Sequence, residues 1–245
     1  MDVWVQLTEK LFFVGVVAMG AAFVFLALQR TTVAKQYQQA VAVSAIVVGI
    51  ACAHYFRMQF SFEDAIKAWM PGMSLYEAGW QSSLRYVDWI LTVPLMLVEI
   101  MAVLALGEAG RGTLRRLILL AAVMIGTGYV GEIADAGSGT YWGMFVVSML
   151  AYLAIYRDLY ALLSGLDERF SPGVKKLLGT VRSLIVFGWI IYPVGYLIPV
   201  IAPDSVELEV LRQAAYNVAD MVNKIGLGVL IYSIARQRTT EDEKA

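Results

Sequence analysis

Seven stretches of 17 to 23 mostly apolar residues recur along this chain, at positions 11–29, 36–56, 86–106, 113–131, 140–156, 183–202 and 213–235. No other feature narrows the possible folds so far. About 20 apolar residues span the hydrocarbon core of a bilayer as an α-helix. Only helices and closed barrels satisfy their backbone hydrogen bonds there, and barrel strands are shorter and alternate in polarity. The fourth and fifth stretches are short, so their helices should extend into flanking polar residues. Composition agrees, with 59% of the 245 residues hydrophobic and only 16% charged. That much apolar side chain exceeds what one soluble core buries, which excludes an ordinary soluble enzyme. A formal net charge of −1 gives no reason to expect nucleic acid, and the lone Cys52 cannot close an internal disulfide. The expected fold is an all-α membrane protein, a seven-transmembrane-helix bundle forming one domain over 1–245. Its longest connection, 57–84, carries Pro71-Gly72 and has room for structure of its own.

Lys and Arg set the orientation. With the N-terminus outside, thirteen of the nineteen fall on the inner side and four on the outer, Arg85 and Lys224 lying at or within spans. The positive-inside rule therefore places the N-terminus outside the cell and the C-terminus in the cytoplasm of a multi-pass cell-membrane protein. The first span is expected to be retained, because Asp2 and Glu9 precede it with only Lys10 to offset them, whereas a cleaved signal needs a basic leader.

Four ionisable residues stand inside spans: Asp88 and Glu99 in the third, Asp220 and Lys224 in the seventh. Arg85 sits at the outer edge of the third. A charge at the bilayer centre costs roughly 2.5–3.5 kcal/mol even on a lenient scale, so such residues pair or line a functional cavity. Helix-association glue would account for one pair, less readily for five ordered groups. Lys224 follows Asp220 by four positions, and Arg85, Asp88 and Thr92 are three and four apart, so each set shares a helix face. Glu99, eleven residues beyond Asp88, returns to that face about three turns and about 16 Å further along. Both spans run from outside to inside. One buried cation thus has acids toward the exterior and another carboxyl toward the interior, the order that a proton path needs. No metal site is expected.

The third span, Arg85-Tyr86-Val87-Asp88-Trp89-Ile90-Leu91-Thr92-Val93-Pro94-Leu95-Met96-Leu97-Val98-Glu99, resembles helix C of the microbial rhodopsins, and within them the proteorhodopsin and xanthorhodopsin proton pumps. The run 216–224, ending in Asp220-Met221-Val222-Asn223-Lys224, resembles their helix G, 187–196 their helix F, and 124–128 their helix D. The resemblance implies all-trans retinal carried by Lys224 as a protonated Schiff base, with Asp88 as primary counterion and proton acceptor, Asp220 as second counterion and Glu99 as internal donor. Asp88, Thr92 and Glu99 together match the proton-pump pattern. The Schiff base and Arg85 would balance Asp88 and Asp220, which removes much of the cost of burying them. His54 matches a histidine that pairs with the counterion and would stabilise ionised Asp88.

Trp89, Met96, Met124, Gly128, Trp142, Trp189, Tyr192 and Tyr196 match the retinal pocket. The apolar Met96 stands at the family's colour-tuning position and implies green absorption. Gly143 falls where a glycine opens the pocket to lipid in carotenoid-binding relatives, so a carotenoid antenna is a further implied cofactor. Pro94 and Pro193 should kink their helices. Glu207 and Glu209, near the outer end of the seventh span, are either proton-release candidates or simply solvated. The implied function is a light-driven outward proton pump, a transporter rather than an enzyme, whose partners are protons, the lipid bilayer and copies of itself (trimer to hexamer, pentamer favoured). The alternatives are a sensory rhodopsin-type photoreceptor, against which Glu99 argues, and a retinal-free receptor or transporter, which would be colourless.

Overall fold

A computed structural model of the chain describes residues 2–165, 169–203 and 205–244. Among these are α1 (Asp2–Gln29), α2 (Gln38–Ala68), α3 (Ser83–Leu104), α4 (Glu108–Glu132), α5 (Gly139–Gly165), α6 (Pro172–Trp189), α7 (Ile191–Tyr196), α8 (Ile198–Ile201) and α9 (Val206–Asp242), with short 3-10 turns at Arg30–Thr32 and Lys35–Tyr37. Seven helical runs are long and apolar enough to cross a membrane, α6 to α8 counting as one run over Pro172–Ile201. The chain is thus an all-helical, multi-pass membrane protein.

The helices close into a ring. Each span packs on its sequence neighbour, α6 packs on α9, and α9 returns to α1. α9 also touches α2 and α3, so these three line the middle of the bundle and are the most buried spans. α1, α5 and the α6–α8 run keep more of their apolar surface outward, where lipid replaces water. One end of the bundle gathers the start of α1, the 69–82 loop and the start of α9, tied by Thr8 Oγ1 donating to Val210 O (3.3 Å). The other end gathers 30–37 and the end of α9, tied by Ala34 N donating to Thr239 Oγ1 (2.8 Å) and Tyr37 Oη donating to Asp242 (2.9 Å).

Local chemistry explains the helix boundaries. Ser171 caps α6, its hydroxyl accepting from Val174 N, with Pro172 in the first turn, where a missing amide costs nothing. Ser205 caps α9 by accepting from Leu208 N, and Glu207 and Glu209 lie in its first turn, where the helix dipole favours negative charge. Pro94 stands inside an unbroken α3. The sixth span is interrupted at Ile190, where Pro193 has no amide to give the carbonyl of Trp189.

Helix ends depart most from the sequence reading. α1 begins nine residues before the apolar stretch, and α4, α5 and α9 also overrun theirs. α2 continues through the polar 57–68 segment expected to be loop. There Met58, Phe62 and Ala65 are buried at helical spacing beneath exposed Arg57, Asp64 and Lys67, and Phe62 packs on Phe12 and Trp80 at ring distances of 5.3 and 5.7 Å. The connection to α3 therefore shrinks to 69–82.

Candidate functional site

α3 and α9 bring the ionisable residues together, as their spacing requires. Lys224 is 2% exposed, with Nζ 2.5 Å from Asp88 Oδ2 and 3.1 Å from Asp220 Oδ1. Asp220 is held from three further sides. Its Oδ1 accepts from Trp89 Nε1 (3.1 Å) and Tyr192 Oη (2.7 Å), and its Oδ2 from Tyr55 Oη (2.8 Å). Arg85 Nη1 lies 3.6 Å from Asp220 Oδ2. Four formal charges, two of each sign, thus sit within one buried cluster. Their net charge is zero, without which burial at this depth would be prohibitive.

Asp88 and Asp220 differ in a way that matters chemically. Asp220 is saturated with donors, whereas Asp88 Oδ1 has no hydrogen-bond partner among the described residues. His54 approaches it, with Nδ1 3.3 Å from Asp88 Oδ1 but not aligned as a hydrogen bond. His54 is 21% exposed at its side chain and stands well inside α2, more than three turns before the helix ends. The Thr92 hydroxyl donates to the Asp88 backbone carbonyl (2.9 Å), not to its carboxylate. Arg85 turns away from Asp88. Its Nε donates to Gln213 Oε1 (2.7 Å) and its Nη2 to Asn217 Oδ1 (2.7 Å), and its guanidinium lies over the rings of Phe12 and Tyr216.

Glu99 stands apart from this cluster. It is fully buried on α3, and neither carboxyl oxygen has a hydrogen-bond partner among the described residues. An ionised carboxylate in such surroundings would bear its desolvation cost alone.

Against Lys224 lies a largely apolar cavity that is partly open to the surface. Trp89, Met96, Met124, Gly128, Trp189, Tyr192 and Tyr196 line it. Trp142 does not. It is 40% exposed on the outer face of α5, packed on Tyr141 and Phe145, and Phe145 reaches the cavity in its place. The two residues are three apart on one helix, and only contact geometry tells them apart. Tyr86, Tyr152, Tyr216 and Asn223 also line the cavity and were not singled out from the sequence. A Cβ at Gly128 would stand 3.3 Å from Tyr86 Cε1 and 3.4 Å from Ser148 Oγ, so a side chain there would press on both. Gly143 faces outward, with no atom within 4 Å of where its Cβ would be.

Asn223 Nδ2 donates to Gly188 O (3.0 Å), which ties α9 to α6 beside Lys224. No cluster of three or more metal-ligating side chains occurs among the described residues. Glu207 is exposed, but Glu209 is buried against Arg212 and Gln213, which removes the solvated reading for Glu209.

A seven-helix membrane bundle with a buried lysine between two carboxylates, opening onto an aromatic cavity, defines a narrow class. The chain matches the family model of bacteriorhodopsin-like proteins over residues 6–238 and belongs to that family, the microbial rhodopsins. It is similar to the green-light absorbing proteorhodopsin of Gamma-proteobacterium EBAC31A08, with 32% identity over 226 residues, 91% of this chain and 84% of that protein. Its fold is similar to the crystal structure of xanthorhodopsin, described as a light-driven ion pump with dual chromophore (TM-score 0.88, 38% identity, 98% of this chain and 96% of that one). It is likewise similar to thermophilic rhodopsin (TM-score 0.89, 31% identity, the same coverages).

Proposed function

We propose that this chain is a light-driven outward proton pump, a single seven-helix domain that binds all-trans retinal covalently at Lys224 Nζ. The observation that carries the reading is the position of Nζ, between Asp88 and Asp220 and on the wall of an apolar cavity. The residues fit the group. A flat apolar polyene suits walls of Trp89, Trp189, Tyr192 and three methionines, and a lone buried amine among them suits its one reactive carbonyl. Bound there, retinal would supply light absorption and an isomerisation that upsets the proton affinity of the amine.

The protein's own groups then set the direction. Asp88 Oδ2, 2.5 Å from Nζ, takes the proton held there, having an oxygen free of other donors. Asp220, locked by Tyr55, Trp89 and Tyr192, holds the cluster together. Glu99, toward the opposite side, returns a proton to Nζ. His54 keeps Asp88 ready to accept. Arg85 balances the two aspartates. Thr92, bonded to the Asp88 carbonyl, fixes the α3 backbone at the acceptor.

The Lys and Arg distribution supports an extracellular N-terminus and a cytoplasmic C-terminus. The transported proton then leaves the cell. Relatives similar to this chain carry the names of a proteorhodopsin and a light-driven ion pump, in keeping with this assignment. Apolar Met96 at the cavity supports absorption in the green. A pentamer is the assembly we favour.

Asp88→Asn tests the reading. In illuminated, retinal-supplied proteoliposomes this variant should be red-shifted and should move no protons. Undiminished transport would remove Asp88 as acceptor.

The open surface at Gly143 supports a carotenoid antenna lying against α5. Light absorbed by an added carotenoid should then drive transport, and Gly143→Trp should end that transfer while leaving retinal-driven transport intact.

A further inference from the structure

At the end of the bundle where Arg238 Nη1 donates to Val103 O, α4 begins and α5 ends. Between these two helices stands Asp158, only 13% exposed at its side chain, with a guanidinium on either side. Arg116 Nε, from α4, lies 2.8 Å from its Oδ2, and Arg157 Nη2, from α5, lies 2.9 Å from its Oδ1. Both arginines are more than half exposed. A guanidinium has five N–H donors and a carboxylate only about four acceptor sites, so two guanidinia on one carboxylate leave donors over. Arg115 is exposed beside Arg116 and has no ion-pair partner among the described residues. Together with Asp158, the three arginines carry a net formal charge of +2.

Depth gives this charge its meaning. Arg116 stands sixteen residues from Glu132 at the far end of α4, about 24 Å at the helical rise, and Arg157 stands about 26 Å from Thr140 at the start of α5. The hydrocarbon core is about 30 Å thick, so both side chains reach out from its edge to the level of lipid phosphates. Toward the bilayer centre the same faces turn apolar. Leu119 and Val123 follow Arg116 by three and seven residues and are 65% and 38% exposed. Leu153 and Leu150 precede Arg157 by four and seven and are 53% and 63% exposed.

We propose that this face of α4 and α5 binds an anionic phospholipid, its phosphate bridging Arg116 and Arg157 and its acyl chains lying along the two apolar stripes. Charge complementarity selects the occupant, because an excess of +2 at phosphate depth is met by a headgroup of net negative charge, whereas a zwitterionic headgroup brings an ammonium that the arginines repel. Asp158 holds the two guanidinia at one place before the lipid arrives. Arg115 adds to the attraction. Binding here depends neither on the orientation of the chain nor on the pump assignment.

Native mass spectrometry of the full-length protein, released from nanodiscs of equal parts phosphatidylglycerol and phosphatidylcholine, tests this. The parent should retain phosphatidylglycerol over phosphatidylcholine by about tenfold or more, and Arg116→Gln/Arg157→Gln should bring the ratio close to one. Arg30→Gln, exposed at the same end between α1 and α2, should leave the ratio unchanged. If the double variant does not fold, because it leaves Asp158 without a counter-charge, Arg116→Gln/Asp158→Asn/Arg157→Gln decides. Equal retention of the two lipids by the parent, or a preference that survives these substitutions, would overturn the proposal. So would a change in the number of copies per particle with the lipid preference intact, which would make this face a contact between subunits.

Discussion

At the scale of single residues the site is a problem of charge. Lys224 stays buried because Asp88 and Asp220 lie within 3.1 Å and Arg85 offsets the second acid. Removing the amine removes the proposed attachment atom, so Lys224→Ala should show no visible absorption band after expression with retinal. A coloured Ala variant would place the chromophore elsewhere. Glu99→Gln keeps shape and burial but holds no transferable proton. Its visible band should be nearly unmoved, while photocycle recovery should slow by about tenfold or more in flash photolysis. An unaltered decay would count against the donor role. Lys224, Asp88, Asp220 and Glu99 were legible from sequence because an ionisable group in an apolar span stands out against its cost. Tyr55, Gln213 and Asn217 were not, although they hold Asp220 and Arg85. Neutral polar side chains in a span carry no comparable signal, and their partners lie on other helices.

At the scale of helices, the apolar stretches located all seven spans but not their ends. Hydropathy reports contact with hydrocarbon, whereas a helix continues as long as it has a face to bury. In α2 the polar extension buries Met58, Phe62 and Ala65 against α1 and the 69–82 loop, so charge on its outer face misled the reading. Phe62→Ala should therefore cost about 3 kcal/mol through loss of its ring contacts with Phe12 and Trp80. Thermal bleaching in detergent would measure it, and an unchanged midpoint would mean that the extension contributes nothing to the fold. Trp142 shows the complementary error, since position on a helix does not decide whether a ring turns toward the cavity or toward lipid.

At the scale of the whole molecule, the bundle sets acids in order along one axis. Glu99 lies further along α3, and Asp88 and Asp220 lie beside Lys224. The order is written in two helices that run the same way, and the orientation proposed from the distribution of Lys and Arg would turn it into a direction across the membrane. The decisive measurement is the pH of unbuffered medium around illuminated cells that express the protein with retinal. Light should acidify the medium, and a protonophore should abolish the signal. A pigmented protein that alkalinised the medium under light, or left its pH unmoved, would contradict outward pumping.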